Sequence, residues 1–196
     1  MPKASLREDI LQAGLEVMSS QGYGAGVRDI VAAAEAPQGS FTNHFRSKEA
    51  FAAEVIERYF DYVKGLMAQT LGDASLAPLE RIRAYLDLIS GKLAAAGWAR
   101  GCLIGNFSLE APPQSEALRL QLARIFGEWR APFAACIAEA QQAGQLDSTL
   151  AADDLADFVL AAWQGAMLRM KVEHDPRPLE QFKTVAFSSF LKPKEA

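Results

Sequence analysis

From one end of the chain to the other, apolar residues recur at the spacing of a helix, and no segment alternates as a half-buried strand does. Leu6, Ile10, Ala13, Leu15 and Val17 form one such stripe. Phe51, Val55, Ile56, Tyr59, Val63 and Leu66 form a second, and Leu79, Ile82, Leu86 and Ile89 a third. Glycine and proline clusters separate these runs, because neither residue continues a helix cheaply. The pattern predicts an all-α fold of about nine helices, over residues 3–20, 27–34, 38–44, 47 to about 72, 78–96, a short piece within GCLIGNFSLE closed by Pro112 and Pro113, 115–143, 152–173 and 179–191. Around residue 48, three helices give way to long ones, which divides the chain into residues 1–48 and 49–196.

Half of the 196 residues are hydrophobic and mean hydropathy is +0.00, enough for a sizeable core and unlike a disordered chain. Net charge is -4 and the pI near 5.3, so no global positive field attracts nucleic acid and any such contact must be local. Cys102 and Cys136 are too few for a secreted disulfide framework and read as reduced thiols. No apolar run reaches the roughly 18 residues that span a bilayer. The opening MPKASLREDIL lacks the apolar stretch of a signal peptide. A cytoplasmic protein with no membrane partner is expected.

The stretch APQGSFTNHFRSKEAF gathers small polar side chains just ahead of a long helix. Such residues make poor core material and suit a surface that touches something. Residues 27–34 and 38–44, joined by the turn EAP, have the layout of a helix-turn-helix. The second helix of that motif enters the major groove and needs short or polar side chains that reach base edges. Gln38, Ser40, Thr42, Asn43 and His44 meet that need, while Phe41 and Phe45, four apart, anchor the helix inward. Gly39 permits close backbone approach to a phosphate. The competing reading is a polar surface helix with no partner. Ser47 supplies a hydroxyl N-cap for the long helix that follows.

Arg7, Ile10, Leu11, Gly22-Tyr23, Val27, Asp29-Ile30, Ala33-Ala34, Gly39-Ser40-Phe41, His44-Phe45 and Ser47-Lys48-Glu49 together resemble the N-terminal signature of the TetR family of transcriptional regulators. The resemblance implies a homodimer with an N-terminal DNA-binding domain and a larger ligand-binding and dimerisation domain. It implies a repressor that a small-molecule inducer releases from a palindromic double-stranded DNA operator. Carried over by position, Gln38, Gly39, Asn43 and His44 face the groove; Ser40, Thr42 and Lys48 contact phosphate; Arg28 and Arg46 flank the unit. Four positions depart from the family pattern. Ala25-Gly26 replaces a common Thr-Ser pair, Gln38 a common cation and Thr42 a common tyrosine. Residues 1–49 carry five cations (Lys3, Arg7, Arg28, Arg46, Lys48) against six anions, a net of −1, so modest DNA affinity is expected.

In the larger domain a pocket should be mostly apolar with a few polar groups. Trp98, Cys102, Phe107, Trp129, Phe133, Trp163 and Met167 are the candidate liners, and ordinary core packing is the alternative for each. The segment WARGCLIGNFSLE resembles the branch of the family that senses reactive or unsaturated small molecules. Cys102 stands near a helix start and two residues from Arg100, both of which favour a thiolate that can be alkylated or oxidised. A buried, inert Cys102 is the other reading. Cys136, among Ala134, Ala135, Ile137 and Ala138, reads as a packing residue. LADFVLAAWQGAMLRM is apolar on more than one face and, with Phe182, Val185, Ala186 and Phe190, could build a dimer interface or a wholly intramolecular core.

An enzyme is the rival class. His44 and His174 are far apart, and no nucleophile elbow, phosphate loop or metal-spaced Cys/His set is visible. The expectation is therefore a non-enzyme with no cofactor and no metal. A second rival is a dimeric small-molecule-binding helical protein whose DNA contacts are weak or lost.

Overall fold

The structure, a computed structural model, describes residues 5–111, 113, 115–146 and 148–194. The expected helix start at Lys3 and the closing Pro112 lie outside these residues. Among the described residues there are nine α-helices and no strand beyond an isolated bridge between Leu146 and Pro193. They are α1 (Leu6–Gln21), α2 (Val27–Ala33), α3 (Ser40–His44), α4 (Lys48–Thr70), α5 (Pro78–Ala95), α6 (Leu103–Glu110), α7 (Glu116–Gln142), α8 (Ala152–Glu173) and α9 (Arg177–Ser188). The all-α expectation holds, helix for helix.

Two helix starts differ for physical reasons, and α9 also ends three residues early, at Ser188. Gln38 and Gly39 belong to a turn, closed by the Ser40 N–H donating to the Pro37 carbonyl (2.9 Å), so α3 is a residue pair shorter than expected. α9 begins two residues early, at Arg177. The prolines of HDPRP look like breakers, yet Pro178 sits in the first turn, where a missing N–H costs nothing. α7 runs unbroken through Pro132, which has no N–H to donate along the helix.

The chain forms two compact units. The first comprises residues up to 62 together with 102–124. Its local starts are well marked: the Ser5 hydroxyl accepts from the Glu8 N–H (3.3 Å) and the Ser47 hydroxyl from the Ala50 N–H (3.0 Å). Its core is aromatic. Phe41, Phe45 and Phe51 meet edge-on or tilted at centroid distances of 5.3, 5.0 and 4.7 Å. Phe51 is fully buried against α1 at Gly14, where a Cβ would lie 2.6 Å from its Cε1.

Polar links tie α4 to the start of α7 within this unit. The Ser115 hydroxyl donates to Glu49 and accepts the Leu118 N–H (3.1 Å), so one side chain caps α7 and grips α4. The Gln121 amide donates to the Ala53 carbonyl (2.9 Å) and to Glu57 (2.8 Å), and Arg124 pairs with the same Glu57. Arg7 pairs with Glu54 at 2.5 Å, and Arg58 with Glu8.

The second unit comprises 63–101 and 125–196. Tyr85 is fully buried, accepts the Trp129 indole N–H (3.0 Å) and meets the Phe133 ring edge-on at 5.2 Å. Trp163 on α8 packs against Phe182 on α9 at 5.4 Å. Lys183 lies buried between Asp87 (2.7 Å) and Glu180 (2.8 Å). Burial alone would lower its pKa; the two carboxylate hydrogen bonds outweigh that and raise it.

The Gly14 contact generates a prediction. Gly14→Ala forces a methyl into the Phe51 ring and should destabilise the protein by about 1–3 kcal/mol, the usual cost of overpacking. Phe51→Leu in the same chain should recover part of that loss, read by denaturant unfolding. If the two substitutions simply add, Gly14 and Phe51 are not in contact.

Candidate nucleic-acid interface

α3 has five residues, too few to persist alone. What holds it is the inward pair. Phe41 and Phe45 are both 4% exposed, and Phe45 ends the helix in an extended conformation with its N–H donating to the Phe41 carbonyl (2.8 Å). With that face pinned, Thr42, Asn43 and His44 are exposed as one strip, preceded by exposed Gln38 and Gly39. The Thr42 hydroxyl donates to the Gly39 carbonyl (3.0 Å), joining the turn to the helix. Ser40 is 6% exposed and is the member of the expected contact set that turns inward.

The cations divide into two groups. Arg28 on α2 and Arg46 after α3 are exposed. Arg7 is occupied: besides Glu54, its guanidinium lies 4.9 Å over the Phe45 ring. Lys48, at the first position of α4, stands with its ammonium 5.0 Å over the Tyr23 ring. Tyr23 follows Gly22, whose φ of +78° ends α1. Burial, then the nearby Glu49 carboxylate, raises the Tyr23 phenol above its ordinary pKa, so it stays neutral. The arrangement is a protruding polar strip flanked by cations on rigid supports, which is what a duplex groove requires.

The other expected site residues fall into separate surroundings. Cys102 and Phe107 belong to the first unit, and Trp98, Trp129, Phe133, Trp163 and Met167 to the second. Cys102 is the N-cap residue of α6, 6% exposed, and its Sγ accepts the Tyr59 hydroxyl at 3.9 Å. Arg100 is exposed. Phe107 is fully buried and meets Tyr23 edge-on at 5.7 Å. Trp98 is left-handed, φ 62°, directly after Gly97 at φ 65°, an unusual backbone for so bulky a side chain. Trp129, Phe133, Trp163 and Met167 are all buried. A groove of about 700 Å³ in the second unit is lined instead by residues including Met67, Leu71, Arg81, Pro132, Cys136 and Glu139. There the Cys136 thiol donates to the Leu71 carbonyl (3.5 Å), and burial pushes its pKa up despite the Arg81 charge beside it.

Two residues in the first unit matter more than their spacing suggests. Glu110, the last residue of α6, accepts the Tyr23 backbone N–H at 2.7 Å across 87 residues of sequence. Glu49 reaches Ser115 across 66. No local pattern marks either contact.

No helix among the described residues is long and apolar enough to cross a membrane, and none of their His, Cys, Asp and Glu side chains cluster as metal ligands.

Comparison with known proteins agrees with this geometry. Residues 10–55 match the family described as bacterial regulatory proteins, tetR family, and residues 78–186 match the tetracyclin repressor-like C-terminal domain. The chain is 45% identical to the HTH-type transcriptional repressor DhaR of Mycobacterium sp. strain GP1, over 100% of this chain and 97% of that protein. It is 38% identical to the transcriptional regulator AcuR of Cereibacter sphaeroides, over 92% and 84%. Among solved structures, the regulatory protein TetR from Rhodobacter sphaeroides superposes with a TM-score of 0.87 at 37% identity, covering 92% of this chain and 97% of that one. The reduced form of NemR from E. coli superposes with a TM-score of 0.83 at 27% identity, covering 91% and 93%. Matched by family at both ends and by near full-length relatives, the chain belongs to the TetR family of helix-turn-helix transcriptional regulators.

Proposed function

We propose that this regulator is a homodimeric repressor that reads a palindromic operator through residues 1–48 and yields it when a small molecule reaches residues 49–196. The observation that carries the reading is the exposed strip of Gln38 and Gly39 in the turn and Thr42, Asn43 and His44 on α3, a helix packed through Phe41 and Phe45 against Phe51. Asn43 and His44 supply base-edge contacts, and Gln38 faces the groove. Arg28, Arg46, Thr42 and Lys48 supply phosphate contacts; Ser40 can contribute only after turning outward.

Assembly as a dimer is supported by α8. Leu155, Val159, Trp163, Ala166, Met167 and Met170 are buried within their own unit. Phe158, Ala161, Gly165, Leu168 and Val172 recur at helical spacing on the exposed side, and Val185 of α9 is exposed as well. An apolar stripe of that length on a water-facing helix matches a second copy of the same helix pair. Leu168→Asp should therefore give a monomer that keeps its helical circular dichroism, since Leu168 is 48% exposed in one chain, with a melting temperature lowered only by the lost association. An unperturbed dimer in sedimentation would place the interface elsewhere.

Release follows one of two chemistries. One is covalent: the Cys102 thiol, at the N-cap of α6 beside the Tyr59 hydroxyl, adds to an electrophile, whereas its 6% exposure supports the other reading of Cys102, a buried packing residue. That the relative NemR is described in a reduced form is consistent with the covalent chemistry. A reversible ligand held within the second unit, among Trp98, Trp129, Phe133, Trp163 and Met167, is the alternative. Cys102→Ser should still bind duplex but ignore N-ethylmaleimide; a response equal to the parent's would leave the reversible ligand.

The DNA reading has its own test. Asn43→Ala or His44→Ala should lose about 1–3 kcal/mol of discrimination for the contacted base and leave other duplexes unaffected. Lys48→Ala should weaken all duplexes about equally and make the dependence of log affinity on log salt shallower by roughly one unit per site. A parent chain that binds no duplex at low salt would instead make this a binding protein without DNA contacts.

A further inference from the structure

Glu110 has no part in the expected contact set and lies at the far end of α6 from Cys102. Its carboxylate nevertheless meets the reading head. One oxygen accepts the Tyr23 N–H at 2.7 Å. The same carboxylate fills the space beside Gly22, where a Cβ would come within 2.8 Å of Glu110 Cδ. Gly22 carries a positive φ, so the turn between α1 and α2 is shaped to admit this side chain. Phe107, one helical turn earlier on α6, presses on the Tyr23 ring at 5.7 Å. The Lys48 ammonium stands over the same ring at 5.0 Å. A single residue thus joins α6, the α1–α2 turn and the first residue of α4.

We propose that Glu110 is a positioning residue for DNA binding: by fixing the Tyr23 backbone it sets the platform on which Lys48 meets phosphate, and it is the route by which α6 acts on the helix-turn-helix. This rests on the reading of the protein as a DNA-binding regulator. Glu110 touches no DNA, so its effect passes entirely through Tyr23. Free rotation of the Tyr23 backbone would let the ring leave Lys48, and the ammonium would lose a fixed direction.

The sign of the effect separates this from plain electrostatics. Removing an anion from a DNA-binding face should tighten binding to a polyanion. The proposal requires the opposite. Glu110→Ala should weaken every duplex by roughly 5- to 150-fold, the ordinary range of coupling between sites. It should make the salt dependence shallower, as Lys48→Ala does, and leave base preference unchanged. Glu110→Gln retains an acceptor oxygen for the Tyr23 N–H and should restore most of the affinity. If Glu110→Ala does not fold, Glu110→Asp decides, because it keeps the charge but is one methylene too short to reach Tyr23.

The companion measurement is amide hydrogen exchange at Tyr23 in the free protein. It should speed up in Glu110→Ala and return toward the parent rate in Glu110→Gln. Unchanged or tighter duplex binding by a folded Glu110→Ala overturns the proposal, as does affinity that Glu110→Gln fails to restore. Should the parent chain bind no duplex, the function proposed above fails, and the exchange rates alone then decide whether Glu110 holds the turn.

Discussion

The first unit depends on one close approach: Phe51 of α4 against the bare Cα of Gly14 in α1. That approach lets the Phe51 ring reach Phe41 and Phe45 together, at 5.0 and 4.7 Å. A five-residue helix forms few internal hydrogen bonds and is unstable in isolation. Its two phenylalanines give it a fixed seat, and the seat dictates which residues remain outside. Thr42, Asn43 and His44 are exposed because 41 and 45 are not. The exposed strip is thus a by-product of aromatic packing.

Charge is arranged with the same economy. The first 49 residues carry a net of −1, so attraction to DNA cannot be a bulk effect. Arg7 is held by Glu54 and Phe45 and serves the fold. That leaves Arg28, Arg46 and Lys48 near the exposed strip. Each phosphate neutralised contributes a slope of roughly −0.9 to the salt dependence, so a small cation set should give a gentle one. The departures at Ala25-Gly26, Gln38 and Thr42 point the same way, since each removes a common phosphate or groove partner. Gly26, as the N-cap of α2, supplies no side-chain cap. With so few contacts, the placement of each matters more, and the Glu110–Tyr23–Lys48 arrangement is where one of them is placed.

Much of this was legible in the sequence. Helical periodicity and its glycine and proline interruptions located nine helices, and Ser47 announced the start of α4. The inward role of Phe41 and Phe45 follows from their spacing alone. Other features could not be read. The Glu110–Tyr23 and Glu49–Ser115 contacts join segments 87 and 66 residues apart, and local patterns carry no information about them. On α8 both faces are apolar, so periodicity could not tell Trp163 and Ala166, which are buried, from Phe158 and Leu168, which are exposed. Ser40 and Thr42 are chemically alike and two residues apart, yet a helix of five residues turns one in and the other out. Pro178 set the expected start of α9 two residues late, because a proline breaks a helix only where its missing N–H or its ring meets something, and in the first turn neither does.

The account's central claim is that the strip exposed by the aromatic seat reads a two-fold symmetric DNA site. Selection of bound duplexes from a random pool tests it most directly, with the whole chain as bait at low salt. Two half-sites related by a palindrome, separated by about one helical turn or a multiple of it, is the predicted result. Recovery of no common sequence, or of a single asymmetric site, would contradict it.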